Sequence, residues 1–411
     1  MGTNSQVIVV GAGVVGLSCA YFLSCHNFEV TVIDRDLKGD RASYGNAGAL
    51  AFSEVLPIAQ PGIIWKVPFY LFDPLGPLSM NLGYIPRLWP YLRRFLAAAN
   101  KSRYEASAAA MSAFLATAFE DHRNIHENTG LGRLFSRRGH LWVYRSQGVR
   151  DASREWPIRR DLGYKFKFLS RPETIDLEPS LGGSVGCAVH TEDWATYSDP
   201  MAYNLGLTKY LQERGVKFLE HNVKSLDEQC IRTSNDESIK FDYLVIAAGA
   251  WSHHLAGTIG DYCPLETERG YNTTLPNSGI SLGRMITFAE DHFVATPMSM
   301  GIRIGGAIEF AGLTAAPNFS RSKALLRLAR EYFPRLNCEA GTEWMGHRPS
   351  TPDSLPVIDR ASRSQNIIYA FGHGHLGLTA SATTGRVVAE IVSGKDPSLD
   401  LMPFGIRRFS S

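Results

Sequence analysis

Residues 5–34 read SQVIVVGAGVVGLSCAYFLSCHNFEVTVID, and this stretch decides the fold. An apolar strand runs into a G-x-G-x-x-G motif at Gly11, Gly13 and Gly16. The first glycine permits a tight turn, the second lets the backbone approach a diphosphate, and the third lets the following helix pack close to the strand. The N-terminus of that helix offers unpaired N–H groups to the diphosphate. A second strand ends at Asp34, 18 residues after Gly16, where a carboxylate accepts ribose hydroxyls. The stretch therefore predicts a dinucleotide site, for either NAD or FAD.

The bulk composition excludes several classes of protein. The chain has 411 residues, of which 44% are hydrophobic and 20% are charged, as in ordinary globular proteins. This length suffices for two domains that share a cleft. The net charge of +2 implies no polyanionic partner, so we expect no nucleic-acid binding. No apolar run is long enough to span a bilayer, and the N-terminus enters a strand directly instead of a signal peptide. We therefore expect a cytoplasmic protein with at most a peripheral contact to the inner face of the membrane.

Neither metal binding nor hydrolysis is indicated. The six cysteines show no C-x-x-C spacing, which argues against a zinc ribbon or a redox dithiol. The chain has no H-E-x-x-H motif or carboxylate cluster, so we predict no metal, and it has no G-x-S-x-G motif of a serine hydrolase.

Sequence patterns beyond the first unit predict further strands and helices. We expect strands at 139–144, 186–190, 216–220, 241–246, 300–306 and 367–371. We expect helices at 102–128, 150–162, 199–214, 322–333 and 380–393. Residues 83–96 mix aromatics, leucines and arginines, which suits either a helix on a bilayer surface or an amphipathic helix that closes the substrate domain. We favour the second interpretation.

Two later segments also suit a bound cofactor. Residues 241–252 read FDYLVIAAGAWS, a buried strand that ends in small residues, and residues 367–379 read IIYAFGHGHLGLT, a strand that ends in glycines. Such strand ends allow a cofactor to lie close to the backbone. One α/β domain is therefore predicted to assemble from separate segments, and the rest of the chain is predicted to form a second domain with a mostly antiparallel sheet. The predicted segments are 1–50, 196–262 and 345–411 for the cofactor domain, and 51–195 and 263–344 for the substrate domain.

Five motifs occur in a characteristic order along the chain. After the opening fingerprint come S-x-x-N-A-G at 43–48, VIAAGAWS at 245–252, G-H-R-P-x-T-P-D-x-x-P at 346–356 and G-H-G-H-x-G-L-T at 372–379. On these motifs the chain resembles the FAD-dependent amino-acid oxidoreductases of the D-amino acid oxidase superfamily, and within it the bacterial D-amino acid dehydrogenase branch.

The resemblance implies a fold and a cofactor. It implies a Rossmann-type FAD-binding domain built from discontinuous segments and an α+β substrate domain. Related sarcosine oxidases attach the flavin through a cysteine just before the T-P-D segment, but residues 344–348 here read WMGHR, so we predict non-covalent FAD. The helix after Thr379 would favour negative charge on the flavin. The predicted cofactor-binding residues are Gly11, Gly13, Val14, Val15, Gly16, Asp34, Arg35, Ser43, Asn46, Ala47, Gly48, Val223, Ala248, Gly249, Trp251, Gly372, His373, Gly374, His375, Leu376, Gly377, Leu378 and Thr379.

The resemblance also implies an activity. The expected reaction is oxidation of a D-amino acid, with D-proline and 4-hydroxy-D-proline among the candidates, by hydride transfer from Cα to N5 of FAD. Electrons would pass to a quinone or another respiratory-chain acceptor. Two alternatives stay open from sequence: an oxygen-using amine oxidase of the glycine or sarcosine type, and a flavin subunit of a multi-chain dehydrogenase.

Four residues are the candidates for the substrate site. A guanidinium binds a carboxylate with two parallel hydrogen bonds, and Arg348 stands where related enzymes place that arginine. Arg303 is the second candidate, with a structural ion pair as its alternative. Tyr271 is predicted to donate a hydrogen bond to the carboxylate, with a half-buried strand tyrosine as its alternative. His373, like His375, is expected to line the pocket or polarise the flavin.

Overall fold

The computed structural model describes residues 5–65 and 78–410. Within them, a six-stranded sheet and a nine-stranded sheet organise the fold, each with helices packed on it. The mixed α/β class predicted from the sequence is confirmed.

The six-stranded sheet carries the glycine fingerprint at its centre. Its first five strands are parallel and the last is antiparallel. In spatial order the strands are Lys217–Glu220, Glu29–Asp34, Gln6–Val10, Tyr243–Ile246, Ile367–Phe371 and Val357–Arg360. From Gln6–Val10 the chain continues into Glu29–Asp34 on one side, whereas Tyr243–Ile246 pairs with Gln6–Val10 on its other side. This reversal opens a crevice at the carboxyl end of the central strand, where ligands bind in such sheets.

Two helices cover one face of this sheet. Helix Val14–Cys25 begins directly after the fingerprint, and helix Gly377–Val392 follows the C-terminal glycines. They pack so closely that a Cβ at Gly385 would lie 2.5 Å from the backbone oxygen of Ser18. Their apolar residues share one core with Val9 of the central strand.

The nine-stranded sheet is antiparallel apart from two parallel pairs. In spatial order its strands are Thr342–Ser350, Glu266–Leu275, Gly301–Phe310, Phe293–Met298, Met285–Phe288, His140–Tyr144, Cys187–Thr191 and Lys167–Leu169, with Leu78–Met80 beside Gly301–Phe310. Two small sheets complete the strands: Ala49–Leu50, Ala195–Tyr197 and Phe135–Ser136 in one, and Val223–Leu226, Cys230–Thr233 and Ser238–Lys240 in the other. Further α-helices are Ile85–Ala98, Lys101–Leu115, Ala118–Thr129, Gln147–Ala152, Glu155–Asp161, Arg171–Leu177, Pro200–Glu213, Ser252–Thr258 and Ser320–Tyr332.

The amphipathic segment near residue 90 packs against the nine-stranded sheet. Helix Ile85–Ala98 buries Leu88 and Tyr91 against Phe310 of that sheet. Its opposite side is open to solvent, and Trp89 is 59% exposed there. No helix of the described residues is both long enough and apolar enough to cross a membrane.

Several predicted helix bounds were wrong. The helix expected at 102–128 is two helices, and Arg386 donates hydrogen bonds to Asp121 and Thr117 at the break. The helix expected at 150–162 is also two, and the last helix begins at Gly377 instead of residue 380.

The predicted domain boundaries stay a prediction, but two elements do not follow them. Strand Thr342–Ser350 pairs along its whole length with Glu266–Leu275, so residues 345–350 belong to the nine-stranded sheet. Helix Lys101–Leu115, predicted in the substrate domain, buries Met111 and Phe114 in the core beside the six-stranded sheet.

Candidate active site

A large cavity lies between the two sheets. Its volume is about 2200 Å³, above the roughly 300–1000 Å³ of ordinary small-molecule pockets. It runs from the glycine fingerprint to the strands of the nine-stranded sheet. The predicted site residues that line it are Gly11, Gly13, Val14, Val15, Asp34, Arg35, Ser43, Asn46, Ala47, Val223, Ala248, Gly249, Trp251, Tyr271, Arg303, Arg348, His373, Gly374, His375, Leu376, Gly377 and Leu378.

The fingerprint glycines allow two close backbone approaches. Gly11 has φ +111°, and a Cβ there would lie 2.3 Å from the carbonyl oxygen of Ala247. A Cβ at Gly16 would lie 1.9 Å from the carbonyl oxygen of Gly11. Gly16 was predicted to contact the cofactor, but it packs against the turn and does not line the cavity. Its role is to bring the helix against the strand.

One end of the cavity is shaped by an acid, a cation and an aromatic ring. Asp34 accepts a hydrogen bond from the backbone N–H of Ala12 at 2.7 Å, and it lies 3.6 Å from the guanidinium of Arg41. The guanidinium of Arg35 stacks over the Trp251 ring, 3.7 Å from its centroid. Stacked cation and ring together form a flat wall on which a planar group can lie.

The S-x-x-N-A-G loop is held to the helix N-terminus by its own polar side chains. The Ser43 hydroxyl accepts a hydrogen bond from the Val14 N–H at 2.9 Å. The Asn46 amide donates to the Ser43 carbonyl and accepts from the Gly48 N–H, at 3.0 and 2.7 Å. Gly48 itself is not among the residues that line the cavity, and a Cβ there would lie 2.4 Å from the Tyr197 carbonyl oxygen, so its predicted backbone contact with the cofactor stays a prediction.

The C-terminal glycine turn brings a helix start to the cavity. Gly372 has φ +82° and faces Thr351 instead of the cavity, and the Thr379 hydroxyl accepts from the Ala51 N–H at 3.0 Å. Both residues were predicted as cofactor contacts, and both instead support the turn from behind. Buried His122 donates from Nε2 to the carbonyls of Leu378 and Thr379, at 3.1 and 3.0 Å.

Arg348 places a half-buried cation in the cavity. Its guanidinium donates to the Ala307 carbonyl at 3.0 Å and lies flat over Gly270, where a Cβ would approach it to 2.1 Å. Burial lowers the pKa of Arg348, while the carboxylate of Glu268 opposes that shift. An arginine does not lose its charge in proteins, so this site attracts an anion. The predicted role of Arg348 fits its position and stays a prediction.

Glu268 and His375 form a hydrogen-bonded pair beside Arg348. His375 Nε2 lies 2.7 Å from the Glu268 carboxylate, and Tyr91 donates to the other carboxylate oxygen at 3.3 Å. Burial alone would raise the pKa of Glu268, but the hydrogen bond from His375 and the charge of Arg348 outweigh it and lower that pKa. Glu268 is therefore an ionised carboxylate within the protein.

Three of the predicted substrate-site residues are engaged elsewhere. Arg303 donates to the Thr274 hydroxyl at 3.0 Å and to the Asn46 carbonyl at 2.5 Å, so it supports the S-x-x-N-A-G loop. This corresponds to the structural alternative for Arg303, with backbone and hydroxyl partners in place of an ion pair.

Tyr271 and His373 likewise have structural contacts. The Tyr271 hydroxyl donates to Glu309 and accepts from the Asn318 N–H at 3.0 Å, and the residue is 1% exposed. His373 Nε2 lies 2.9 Å from the Thr384 hydroxyl, and burial lowers the pKa of His373 to about 3. The Tyr271 hydroxyl is thus engaged within the protein, whereas His373 is a neutral histidine that lines the cavity, and its predicted role beside the flavin stays a prediction.

Several cavity residues were not predicted from the sequence. Glu268 and Tyr91 carried no motif, although Glu268 stands two positions before Gly270 in a segment of alternating side chains. A buried network at another part of the wall was also missed: Arg159 binds both oxygens of Glu54 at 3.0 Å, and the Trp194 indole donates to Ser53 at 2.8 Å. Burial raises the pKa of Glu54 despite that arginine.

The described residues contain no cluster of His, Cys, Asp or Glu side chains that would hold a metal. Their cysteines are all free thiols, and the residues found to line the cavity include no cysteine.

Comparison with known proteins gives a consistent assignment. The model of the family described as FAD dependent oxidoreductase matches residues 6–391. A D-amino-acid oxidase of Bradyrhizobium diazoefficiens is 37% identical, with all of both chains aligned. A D-amino acid dehydrogenase of Granulibacter bethesdensis is 29% identical over 98% of this chain and all of that protein. The crystal structure of glycine oxidase from Geobacillus kaustophilus superposes with a TM-score of 0.74 at 20% identity, over 98% of this chain and 99% of that one, which shows the fold alone.

The cavity fits the cofactor of this family. Gly13 leaves its backbone open, since a Cβ there would meet only the Ser43 hydroxyl, at 3.3 Å, and a Cβ at Gly249 would meet nothing within 4 Å. An extended dinucleotide can therefore approach both strand ends closely, with its diphosphate at the start of helix Val14–Cys25. The cavity volume leaves room for a substrate beside it.

Proposed function

Because this chain belongs to the family of FAD-dependent oxidoreductases, we propose that its substrates are D-amino acids. The curated relatives at 37% and 29% identity are a D-amino-acid oxidase and a D-amino acid dehydrogenase, each aligned over its full length. Similarity over the entire chain supports a common substrate class, because both the cofactor region and the substrate region are included.

One observation carries the proposal: a half-buried arginine with free hydrogen-bonding capacity in a cofactor cavity. Arg348 uses one N–H on the Ala307 carbonyl, and its planar fork matches a carboxylate. The cavity wall beside it is apolar and includes Leu78, Met80 and Phe310. A cation next to an apolar wall suits an amino acid with a small or apolar side chain.

The protein's part in the reaction is to bind the substrate and to orient it toward the cofactor. FAD, when bound, accepts the hydride from the substrate's Cα, and the imino acid formed is hydrolysed to a 2-oxo acid and ammonia. Arg348 holds the carboxylate, which fixes the position of Cα, while the apolar wall excludes water from the reacting face. For a ring substrate such as D-proline or 4-hydroxy-D-proline, the product is a cyclic imine. The resemblance to the D-amino acid dehydrogenase branch puts both of these among the substrates we propose to test.

The electron acceptor that we propose is a quinone met at the inner face of the cell membrane. Exposed apolar side chains line the cavity near its opening: Trp89 is 59% exposed, Ile64 51% and Leu96 39%. An apolar opening suits a lipid-soluble acceptor. Molecular oxygen is the second candidate, because the relative at 37% identity is named an oxidase.

The test is anaerobic reduction of the purified FAD-loaded protein, followed by its visible absorbance. The panel contains D- and L-enantiomers of proline, alanine, phenylalanine and both 4-hydroxyproline epimers. We expect bleaching of the flavin band by D-substrates at rates well above those of their L-enantiomers. Bleaching by L-enantiomers alone, or by none of the panel, would refute the proposed substrate class.

The acceptor is tested separately with the same preparation. Reoxidation of the reduced enzyme is compared between a soluble short-chain ubiquinone under nitrogen and air-saturated buffer without quinone. Faster reoxidation by quinone supports the dehydrogenase, and peroxide formed at the rate of substrate loss supports the oxidase.

A further inference from the structure

Glu268, His375 and Arg348 meet at one point of the cavity. Glu268 and Arg348 stand directly opposite each other on neighbouring antiparallel strands, where paired Cβ atoms lie about 5 Å apart. His375 approaches the Glu268 carboxylate from the C-terminal glycine turn, with Nε2 at 2.7 Å. We propose that His375, oriented by Glu268, removes the proton from the substrate's α-ammonium group. The inference rests on the proposed function.

The chemistry requires such a proton acceptor. An amino acid is zwitterionic at neutral pH, and its ammonium nitrogen has no lone pair. The Cα–H electrons leave as a hydride only when the nitrogen lone pair forms the C=N bond, so the ammonium must first become an amine. In the proposed step an N–H bond breaks, its electron pair stays on nitrogen, and the proton binds Nδ1 of His375. Oxidation of Cα, with both electrons passing to FAD, follows this transfer, and His375 later releases the proton to water.

The hydrogen bond fixes which imidazole nitrogen is free. The ionised Glu268 carboxylate only accepts, so Nε2 of His375 carries the hydrogen toward it. The lone pair is then on Nδ1, the nitrogen that accepts a proton. A carboxylate on the far side stabilises the imidazolium that results, as the aspartate does in a catalytic triad.

The position of the pair matches the shape of the substrate. The carboxylate and ammonium groups of an amino acid are attached to the same carbon. When Arg348 binds the carboxylate, the substrate nitrogen is therefore held close to Arg348 and to the neighbouring Glu268–His375 pair. The side chain of His375 is 39% exposed, while that of Glu268 is 2% exposed. His375 is thus the member of the pair that a ligand can reach, and both line the cavity.

The surroundings of Glu268 keep its carboxylate ionised and ordered. The groups that face the Glu268–His375 pair are Arg348 from the neighbouring strand, Tyr91 from helix Ile85–Ala98, whose hydroxyl donates to Glu268 at 3.3 Å, and Ser350. Burial and the nearby Glu268 raise the pKa of Tyr91 well above its usual value, so Tyr91 stays a neutral donor. Glu268 is left as the negative partner for a protonated His375.

The experiment compares the pH dependence of anaerobic flavin reduction by a D-amino acid in wild type and His375→Asn. We expect kcat/KM of the variant to fall at least about 100-fold at pH 7, the usual size of general base catalysis. The loss should shrink tenfold per pH unit as pH rises, because free substrate then supplies its own amine. Glu268→Gln should give the same pattern with a smaller loss. A pH-independent loss, or no loss, would overturn the inference.

Two controls separate a proton-transfer role from a structural one. Binding of 2-aminobenzoate, whose amino group is already neutral at pH 7, is followed by the shift of the flavin spectrum and should weaken less than about threefold in His375→Asn. His26→Asn alters a histidine at the end of helix Val14–Cys25, where Nδ1 contacts the Phe22 carbonyl, and should reproduce the wild-type profile. A tenfold weaker 2-aminobenzoate complex would make His375 a binding residue and refute its role as a base. If wild type oxidises no D-amino acid at all, the proposed function fails before this question arises.

Discussion

Truncating Arg348 should abolish substrate recognition while FAD stays bound. The guanidinium is half-buried in the cavity, contacts one backbone carbonyl and faces the region where the substrate carboxylate would lie. Leaving one member of a buried charge pair without its partner costs about 3–5 kcal/mol. At about 1.4 kcal/mol per factor of ten, Arg348→Ala should lower kcat/KM by about 150- to 4000-fold. Arg348→Lys keeps the charge but loses the planar fork, and we expect an intermediate loss.

The assay is anaerobic stopped-flow reduction of the flavin at varied substrate concentration, with FAD content measured after release from the protein. Arg303→Ala is the matched comparison, because Arg303 is also a cavity-lining arginine of the nine-stranded sheet. Its bond to the Asn46 carbonyl supports the loop of residues 43–48, so its loss should lower FAD retention by about 1.5–3 kcal/mol and leave substrate affinity of the loaded enzyme close to wild type. If Arg348→Ala kept wild-type substrate dependence, or if Arg303→Ala showed the substrate defect instead, the assignment of the carboxylate to Arg348 would be wrong.

Substitutions at Gly11, Tyr271 and His122 test further parts of the structure. Gly11→Ala should lose FAD and melt at lower temperature, because φ +111° strains alanine by roughly 1–3 kcal/mol and its Cβ would lie 2.3 Å from a carbonyl oxygen. A wild-type FAD dissociation constant would contradict this prediction. Tyr271→Phe should cost about 1–3 kcal/mol of unfolding free energy, since Glu309 loses a buried partner, yet keep kcat/KM within about threefold; a 100-fold loss of kcat/KM would restore Tyr271 to the substrate site. Burial lowers the pKa of His122 from 6.5 to about 4, so the unfolded chain binds more protons than the folded one between these pH values. The contribution of His122 to the free energy of unfolding therefore falls by about 3 kcal/mol as pH drops from 6.5 to 4. The melting temperature of His122→Asn should depend less on pH over that range than that of wild type.

The cofactor half of the fold was predictable because its signals are local. The pattern of residues 6–34 predicts a strand, a glycine turn, a helix and a second strand in one continuous segment. The backbone conformation at Gly11, with φ +111°, strongly favours glycine at that position. The strand ends at 246 and 371 were predictable for the same reason, since small residues must follow where backbones approach closely.

The substrate half was harder because its roles depend on pairing between distant strands. Arg303, Tyr271 and Arg348 look alike in sequence as polar residues of strands, and only the register separates the arginine that faces the cavity freely from the one bonded to the residue-46 carbonyl. Glu268 was missed because the sequence of neither strand predicts the pairing register that places it opposite Arg348.

The break in the helix predicted at 102–128 had a weak local signal. Thr117 stands three residues before Glu120, the spacing of an N-terminal capping box, although the Thr117 side chain makes no cap hydrogen bond in the structure. The break is instead stabilised by Arg386, 265 residues from Asp121, a contact that no local pattern reveals.

The arrangement of substrate groups in the cavity is tested most directly by a crystal structure of the FAD-loaded enzyme, reduced anaerobically, in complex with 2-aminobenzoate. We expect the carboxylate within hydrogen-bond distance of both terminal nitrogens of Arg348 and the amino group on the side of His375. A carboxylate bound at Arg303, or a ligand turned so that its amino group faces away from His375, would contradict it.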